Sequence, residues 1–269
     1  MTNERPRGRA HVGTSGFAYP DWAPVFYPAG TKAAGRKQVT PKSVAQRDYL
    51  DAIERRDIVF GASFDNNIIC ADEKECIVVS SVASKLIQAM TYNGGVLVWK
   101  DQLPALEKVI LKKTHGPRQE AEIDRSLIGK NASVILKKAG IACDDSVRLG
   151  IVEVDHDHPL LWTEQMMPIL PVTRVRDADE GIDLALALEH PRRPTFVMHS
   201  ANLSNLSRMA RECNASIFVK NGPALAGLGW KGEGCTSFTI ASPTGEGMTS
   251  PRSFSRWRRC SLVGSFRIV

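Results

Sequence analysis

Residues 169–220 read ILPVTRVRDADEGIDLALALEHPRRPTFVMHSANLSNLSRMARECNASIFVK, and this stretch decides the fold class. Ile169 to Val175 is a short apolar run rich in valine and isoleucine, the pattern of a strand buried on both faces. Asp177 then offers a capping side chain, and Ala178 to Leu188 repeats apolar residues at helical spacing. Thr195 to His199 returns to strand character, Asn202 to Glu212 to helix, and Ser216 to Lys220 to strand. Parallel neighbours need crossover connections, and helices of about ten residues supply them. The alternation predicts an α/β domain in which a largely parallel sheet is covered by helices, in three layers.

The same pairing continues outward. Cys76 to Ser80 (CIVVS) reads as a buried strand, Val82 to Tyr92 as an amphipathic helix, and Val147 to Val154 as another strand. Downstream, Asn221 to Gly234 (NGPALAGLGWKGEG) is dense in glycine, which lets a backbone turn sharply or approach a ligand closely. Ser261 to Val269 (SLVGSFRIV) looks like a last strand. Residues 1–47 are rich in Gly, Pro, Lys and Arg without sustained periodicity, so they read as loop-like or weakly ordered. One compact domain is predicted over residues 48–269.

A hydrophobic content of 43% over 269 residues suits a chain with a buried core. No apolar run approaches the roughly 20 residues of a membrane-spanning helix. The opening MTNERPRGRA lacks the apolar stretch of a secretory signal, so a cytoplasmic location and no membrane partner are expected. Six cysteines are scattered without a C-x-x-C pair or a histidine at ligand spacing, which points to free thiols and no metal. The formal charge of +6 attracts polyanions. Its excess sits at the ends and in Lys32 to Arg47 without interleaved aromatics, so no nucleic-acid partner is expected. The run Arg252 to Arg259 (RSFSRWRR) reads as a solvated face.

Phe64 to Glu75 (FDNNIICADEKE) sets Cys70 just after a run of turn-forming polar residues. A partly exposed thiol beside backbone N–H donors can act as a nucleophile. A lone cysteine is more often a small buried hydrophobe, so the spacing by itself decides little.

Residues 61–79 (GASFDNNIICADEKECIVV) closely resemble the active-site segment of the CoA-acylating acetaldehyde and propionaldehyde dehydrogenases of ethanolamine and propanediol utilisation. The likeness continues through Glu153 to Arg176 (EVDHDHPLLWTEQMMPILPVTRVR), Val197 to Arg211, Ile217 to Gly234 and Phe238 to Val269. This resemblance implies a three-layer αβα aldehyde dehydrogenase catalytic domain with a C-terminal oligomerisation strand. It implies Cys70 as the acyl-forming nucleophile and Glu164 as the carboxylate on the nicotinamide ribose of NAD. The loop carrying Gly227, Gly229 and Trp230 is expected beside the substrate, and Asn66 or Asn67 is assigned to the oxyanion. NAD and coenzyme A follow as cofactor and co-substrate, a short-chain aldehyde as substrate, and a homo-oligomer or pairing with an intact subunit as the assembly. Association with a bacterial microcompartment, as in some relatives, is compatible with this reading.

Two segments depart from the family. His190-Pro191-Arg192-Arg193-Pro194 stands where relatives read His-Gly-Asn-Arg-His, and Trp230-Lys231 stands where they tend to carry two glycines. Only 69 residues precede Cys70, and no G-x-G-x-x-G occurs between Met1 and Val59, so the nucleotide-binding domain is expected to be largely missing. His11 to Gly30 (HVGTSGFAYPDWAPVFYPAG) instead resembles the opening of the DUF72 (YecE-like) barrel proteins, over about twenty residues, too few for a barrel. The functional expectation is an oxidoreductase that converts aldehyde, CoA and NAD to acyl-CoA and NADH through a cysteine thioester. The alternatives are an inactive remnant acting as an oligomerisation partner, and NAD-independent acyl transfer at Cys70.

Overall fold

The computed structural model describes residues 57–189, 194–230, 232, 252, 255–261 and 263. The N-terminal segment with its DUF72-like stretch, His190 to Arg193, Cys235 and most of the expected terminal strand lie outside these residues.

Helix α1 covers residues 57–63 at the start of the described chain. Strand β1 (Cys76–Val79) leads into helix α2 (Ser80–Tyr92), strand β2 (Gly95–Val98) and helix α3 (Leu103–Ile110). A short antiparallel hairpin, β3 (Leu111–Lys113) and β4 (Glu122–Ile123), precedes helix α4 (Ala132–Lys138). Then come β5 (Leu149–Glu153), β6 (Ile169–Val175), α5 (Ala178–Leu188), β7 (Thr195–Met198), α6 (Leu203–Cys213) and β8 (Ile217–Lys220).

Four strands form a parallel sheet in the order β1-β6-β5-β2. Cys76 stands opposite Val172, Gly150 opposite Ile169, and Gly95 opposite Leu149. Side chains alternate between the two faces of a strand, and both faces here are covered. Leu149, Ile151, Leu170 and Val172 pack with Ile58, Val59 and Ala62 of α1 and with Ala83, Ile87 and Met90 of α2. On the opposite face Val152 and Ile169 pack with Leu106 and Ile110 of α3 and Ile135 and Leu136 of α4. Each such fully buried aliphatic side chain contributes about 1.5–3 kcal/mol relative to exposure. The two clusters are the outer interfaces of the expected three layers.

The element limits follow the local chemistry. The Asp177 side chain accepts from the Glu180 backbone N–H, and Asn202 accepts from Ser204 and Asn205, so both helices begin at capping residues. Asn214 then ends α6 in the left-handed conformation that asparagine tolerates. Strand β2, helices α3 and α4 and the hairpin were not anticipated from the sequence. The expected single sheet also differs: β7 and β8 form a separate parallel pair, with Thr195 opposite Ile217. No helix among the described residues is long and apolar enough to cross a membrane.

Candidate active site

Between α1 and β1 the chain makes an unusual turn. Asp65, Asn66 and Asn67 have φ of 44°, 55° and 63°, three consecutive left-handed residues in the turn Phe64–Asn67. A side chain with a Cβ pays roughly 1–2 kcal/mol for that conformation, and Asp and Asn are the non-glycine residues that adopt it most readily. The polar run is therefore a backbone requirement, and it brings Cys70 out as an exposed thiol three residues later.

Polar bonds hold the turn in place. The Asn67 side-chain amide donates to the carbonyls of Ala62 at 2.9 Å and Glu73 at 2.8 Å. The Asn66 amide donates to the Gly129 carbonyl at 2.9 Å and to Asn131 Oδ1 at 3.0 Å. Each amide has two N–H groups and both are engaged within the protein, so in this structure the asparagines expected at the oxyanion brace the turn. Gly129, at φ +69°, is pressed so close to Ile68 that a Cβ would lie 2.6 Å from its Cδ1. Its N–H donates to the Met166 carbonyl at 3.2 Å, which ties the cysteine turn to the Glu164–Met167 segment.

Lys74 makes the second tie. Its Nζ donates to the backbone carbonyl of Asn67 at 2.7 Å and to Asn67 Oδ1 at 2.9 Å, and it lies 3.8 Å from Glu164 Oε1. The ammonium is nearly buried whereas the Glu164 carboxylate is about one-third exposed. Burial lowers the Lys74 pKa, an effect opposed by Glu164 and Asp72. The two residues assigned from resemblance to the nucleophile and the nicotinamide ribose, Cys70 and Glu164, thus flank one lysine that the sequence reading left unmarked among charged neighbours.

The acids after Cys70 are withdrawn from water. Burial pushes the Asp72 carboxyl up to about 7, with Lys74 opposing, and the Glu73 carboxyl up to about 8, with the N–H of Ala224 opposing. Glu73 Oε1 accepts from that N–H at 2.8 Å, and its carboxylate lies where any Cβ on Gly61 would stand. Burial, with Glu75 and Glu73 nearby, pushes the Cys76 thiol up to about 12, so it stays protonated. Cys213 is buried as well.

The glycine loop packs against the cysteine segment, with Leu225 and Leu228 in one apolar cluster with Ile69 and Ala71 on either side of Cys70. Gly227 is needed because a Cβ there would meet Ile217 Cγ2 at 2.1 Å, and Gly229, at φ +101°, ends the Ala224–Leu228 turn. Trp230, half-exposed, lies against the Phe60 ring with centroids 5.7 Å apart. Both glycines thus have packing and turn roles. Among the described residues of this loop, only Ala224 lines the cleft that also holds Cys70.

No protein-family model matches the chain. The acetylating acetaldehyde dehydrogenase EutE of Salmonella typhimurium is 49% identical over 212 residues, which cover 79% of this chain and 45% of that protein. The chain is homologous to the CoA-acylating aldehyde dehydrogenases. Among solved members of these enzymes, propionaldehyde dehydrogenase from Rhodopseudomonas palustris with bound CoA and an acylated cysteine superposes with a TM-score of 0.70 at 43% identity, over 76% of this chain and 46% of that one. An engineered glycolyl-CoA reductase with bound NADP+ gives the same TM-score and identity, over 76% of this chain and 46% of its own. The chain spans about half the length of the CoA-acylating aldehyde dehydrogenases it matches.

Proposed function

We propose that this chain carries the acyl-transfer centre of CoA-acylating aldehyde oxidation, acting on a short-chain aldehyde with Cys70 as nucleophile. The observation that carries the reading is the exposed Cys70 thiol at the end of a strained, polar-braced turn. Backbone strain persists where the surroundings over-determine it, and it clusters at functional sites. We take residues 48–269 as the catalytic domain and residues 1–47 as a separate segment.

The thiolate of Cys70 adds to the aldehyde carbonyl to give a thiohemiacetal. NAD, when bound, supplies the hydride acceptor that converts this adduct to a thioester. CoA thiolate then attacks the thioester carbonyl, and the bond to Cys70 breaks, giving acyl-CoA and the free Cys70 thiolate. Glu164 suits the nicotinamide end: its carboxylate is part-exposed, lies 3.8 Å from the Lys74 ammonium, and can accept from ribose hydroxyls. The described residues include no glycine-rich strand–helix turn of the kind that grips a pyrophosphate, so no step beyond the ribose contact is assigned to them.

Acyl exchange between Cys70 and CoA needs no nicotinamide, which makes it the cleanest test. Radiolabelled propionyl-CoA is expected to acylate the chain at Cys70 and a Cys70→Ser variant not at all. An unlabelled wild-type chain of normal foldedness sinks the proposal. Labelling without NADH formation from propionaldehyde, CoA and NAD would retain acyl transfer and remove the redox step.

A further inference from the structure

Among the described residues β1 pairs with β6 on one side only, and β7 pairs with β8 on one side only. The two open edges line the same cleft, of about 680 Å³, with Cys76 to Val79 on one wall and Thr195 to Met198 on the other. Strand β6 connects to β7 through helix α5, the crossover that returns a chain parallel to its starting strand. An unpaired edge presents a row of N–H and C=O groups that will pair with any strand laid beside it.

Between the two strands the cleft has the lining of a sheet interior, while its Cys70 end carries the charged run Asp72 to Glu75. Ile58, Val78, Ile182, Phe196 and Met209 give it apolar walls, and all five are buried. Thr195 Oγ1 and both ring nitrogens of His199 also belong to residues of this cleft, are buried and have no hydrogen-bond partner. Buried polar atoms are ordinarily partnered, because leaving one unpaired costs about 1–3 kcal/mol. Desolvation lowers the His199 pKa, which keeps the ring neutral and able both to donate and to accept.

We infer that this cleft is an acceptor site for one parallel β-strand donated by a polypeptide of different sequence, joining the four-stranded sheet and the β7–β8 pair into one continuous sheet. The guest strand would be buried on both faces, so it must be near-continuously apolar; β6 carries Pro171, but a proline at the centre of a short guest strand removes a ladder donor it cannot spare. The strands already in the sheet set the standard with CIVV, GVLV and LGIVE.

Residues 1–56 contain no apolar run longer than three, its two instances, Phe17 to Tyr19 and Val25 to Tyr27, abutting Pro20 and lying between Pro24 and Pro28, and residues 231–269, the expected last strand included, contain none longer than two. Proline removes a ladder donor. The guest is therefore assigned in trans. The matched relatives, about twice as long, have ample chain outside the match from which to draw a probe. The inference does not depend on chemistry at Cys70. Seating a strand would nonetheless fix β1 and the Cys70–Cys76 segment that leads into it.

The test is hydrogen–deuterium exchange on the full chain, alone and with each of a set of overlapping synthetic peptides. The peptides cover the part of the Salmonella acetaldehyde dehydrogenase that lies outside its match to this chain. The expected result is that a peptide with an apolar run slows exchange of Cys76–Val79 and Thr195–Met198 together, by at least about tenfold. The same peptide with a central proline should protect neither strand. Protection of only one strand, or by no peptide, overturns the proposal. Slow exchange of both strands in the chain alone overturns it too: if dilution leaves it unchanged, a segment of the same chain fills the cleft, and if dilution abolishes it, a second copy does. Acylation of Cys70, measured separately, bears on none of these outcomes.

Discussion

The sheet formed by β1, β6, β5 and β2 and the turn that presents Cys70 are neighbours in the chain but are held by different forces. In the sheet, Leu149, Ile151, Leu170 and Val172 on one face and Val152 and Ile169 on the other are almost wholly buried among aliphatic side chains. The backbone there is ordinary, and any apolar residue of the right size would serve. Around Cys70 the backbone is left-handed at three successive residues and is fixed by the amides of Asn66 and Asn67 and by Lys74. The first region supplies stability through many interchangeable contacts; the second uses a few irreplaceable polar bonds to hold a shape that stability alone would not select.

That contrast can be broken most sharply at Cys70. Cys70→Ser is expected to abolish acyl labelling while changing stability by less than about 0.5 kcal/mol, as befits an exposed position. A large loss in urea unfolding would mean that the cysteine is structural. Ile151→Ala should do the reverse and lose about 2–5 kcal/mol, because the side chain is fully buried and leaves a cavity. Labelling per folded molecule should stay unchanged, and a fall in it would show that the two regions are not separable.

Lys74→Met tests the brace itself. It leaves the Asn67 carbonyl and Glu164 without their cation, at a cost of about 1–3 kcal/mol. Alkylation of Cys70 by iodoacetamide should change in rate and in pH profile, whereas Ile151→Ala should move neither. Lys74→Arg restores the charge and is expected to recover part of the profile; identical profiles in all three proteins would remove Lys74 from the site.

Protonation offers a gentler probe. Asp72 and Glu73 are raised from ordinary values of 3.8 and 4.5 to about 7 and about 8 in the fold. The folded chain therefore keeps protons that the unfolded chain has released, and stability falls with rising pH across that window. The melting temperature should drop between about pH 5 and about pH 8, and Glu73→Gln should flatten the slope. A rise over the same range contradicts the burial of these acids. The smallest effect belongs to the scaffold: Asp177→Ala removes a cap worth about 1 kcal/mol and should leave Cys70 chemistry untouched.

Legibility in the sequence followed the same division. Ile169–Val175 and Ala178–Leu188 have the limits the periodicity predicts, since a buried strand and a capped amphipathic helix both write their pattern locally. Strand β2 and helix α3 were missed: Gly95–Val98 opens on a glycine, and the eight-residue helix carries a proline at its start. Around the candidate site, Cys70 and Glu164 were singled out through resemblance, but Lys74, which lies between them, was hidden inside an Asp-Glu-Lys-Glu run. The asparagines were noticed as turn residues, but only the fold reveals which acceptors their amides meet.

By itself the sequence determined the alternation of strand and helix, the helix caps and the family to which the cysteine segment is related. Each of these is set by residues near one another in the chain. The tertiary structure alone decided that Asn66 reaches Gly129, that Lys74 joins Asn67 to Glu164, and that β1 and β7 line a common cleft, each with one edge unpaired among the described residues. Those contacts join segments whose encounter depends on how helices pack across a sheet, and local periodicity carries no record of which distant residue waits on the other side.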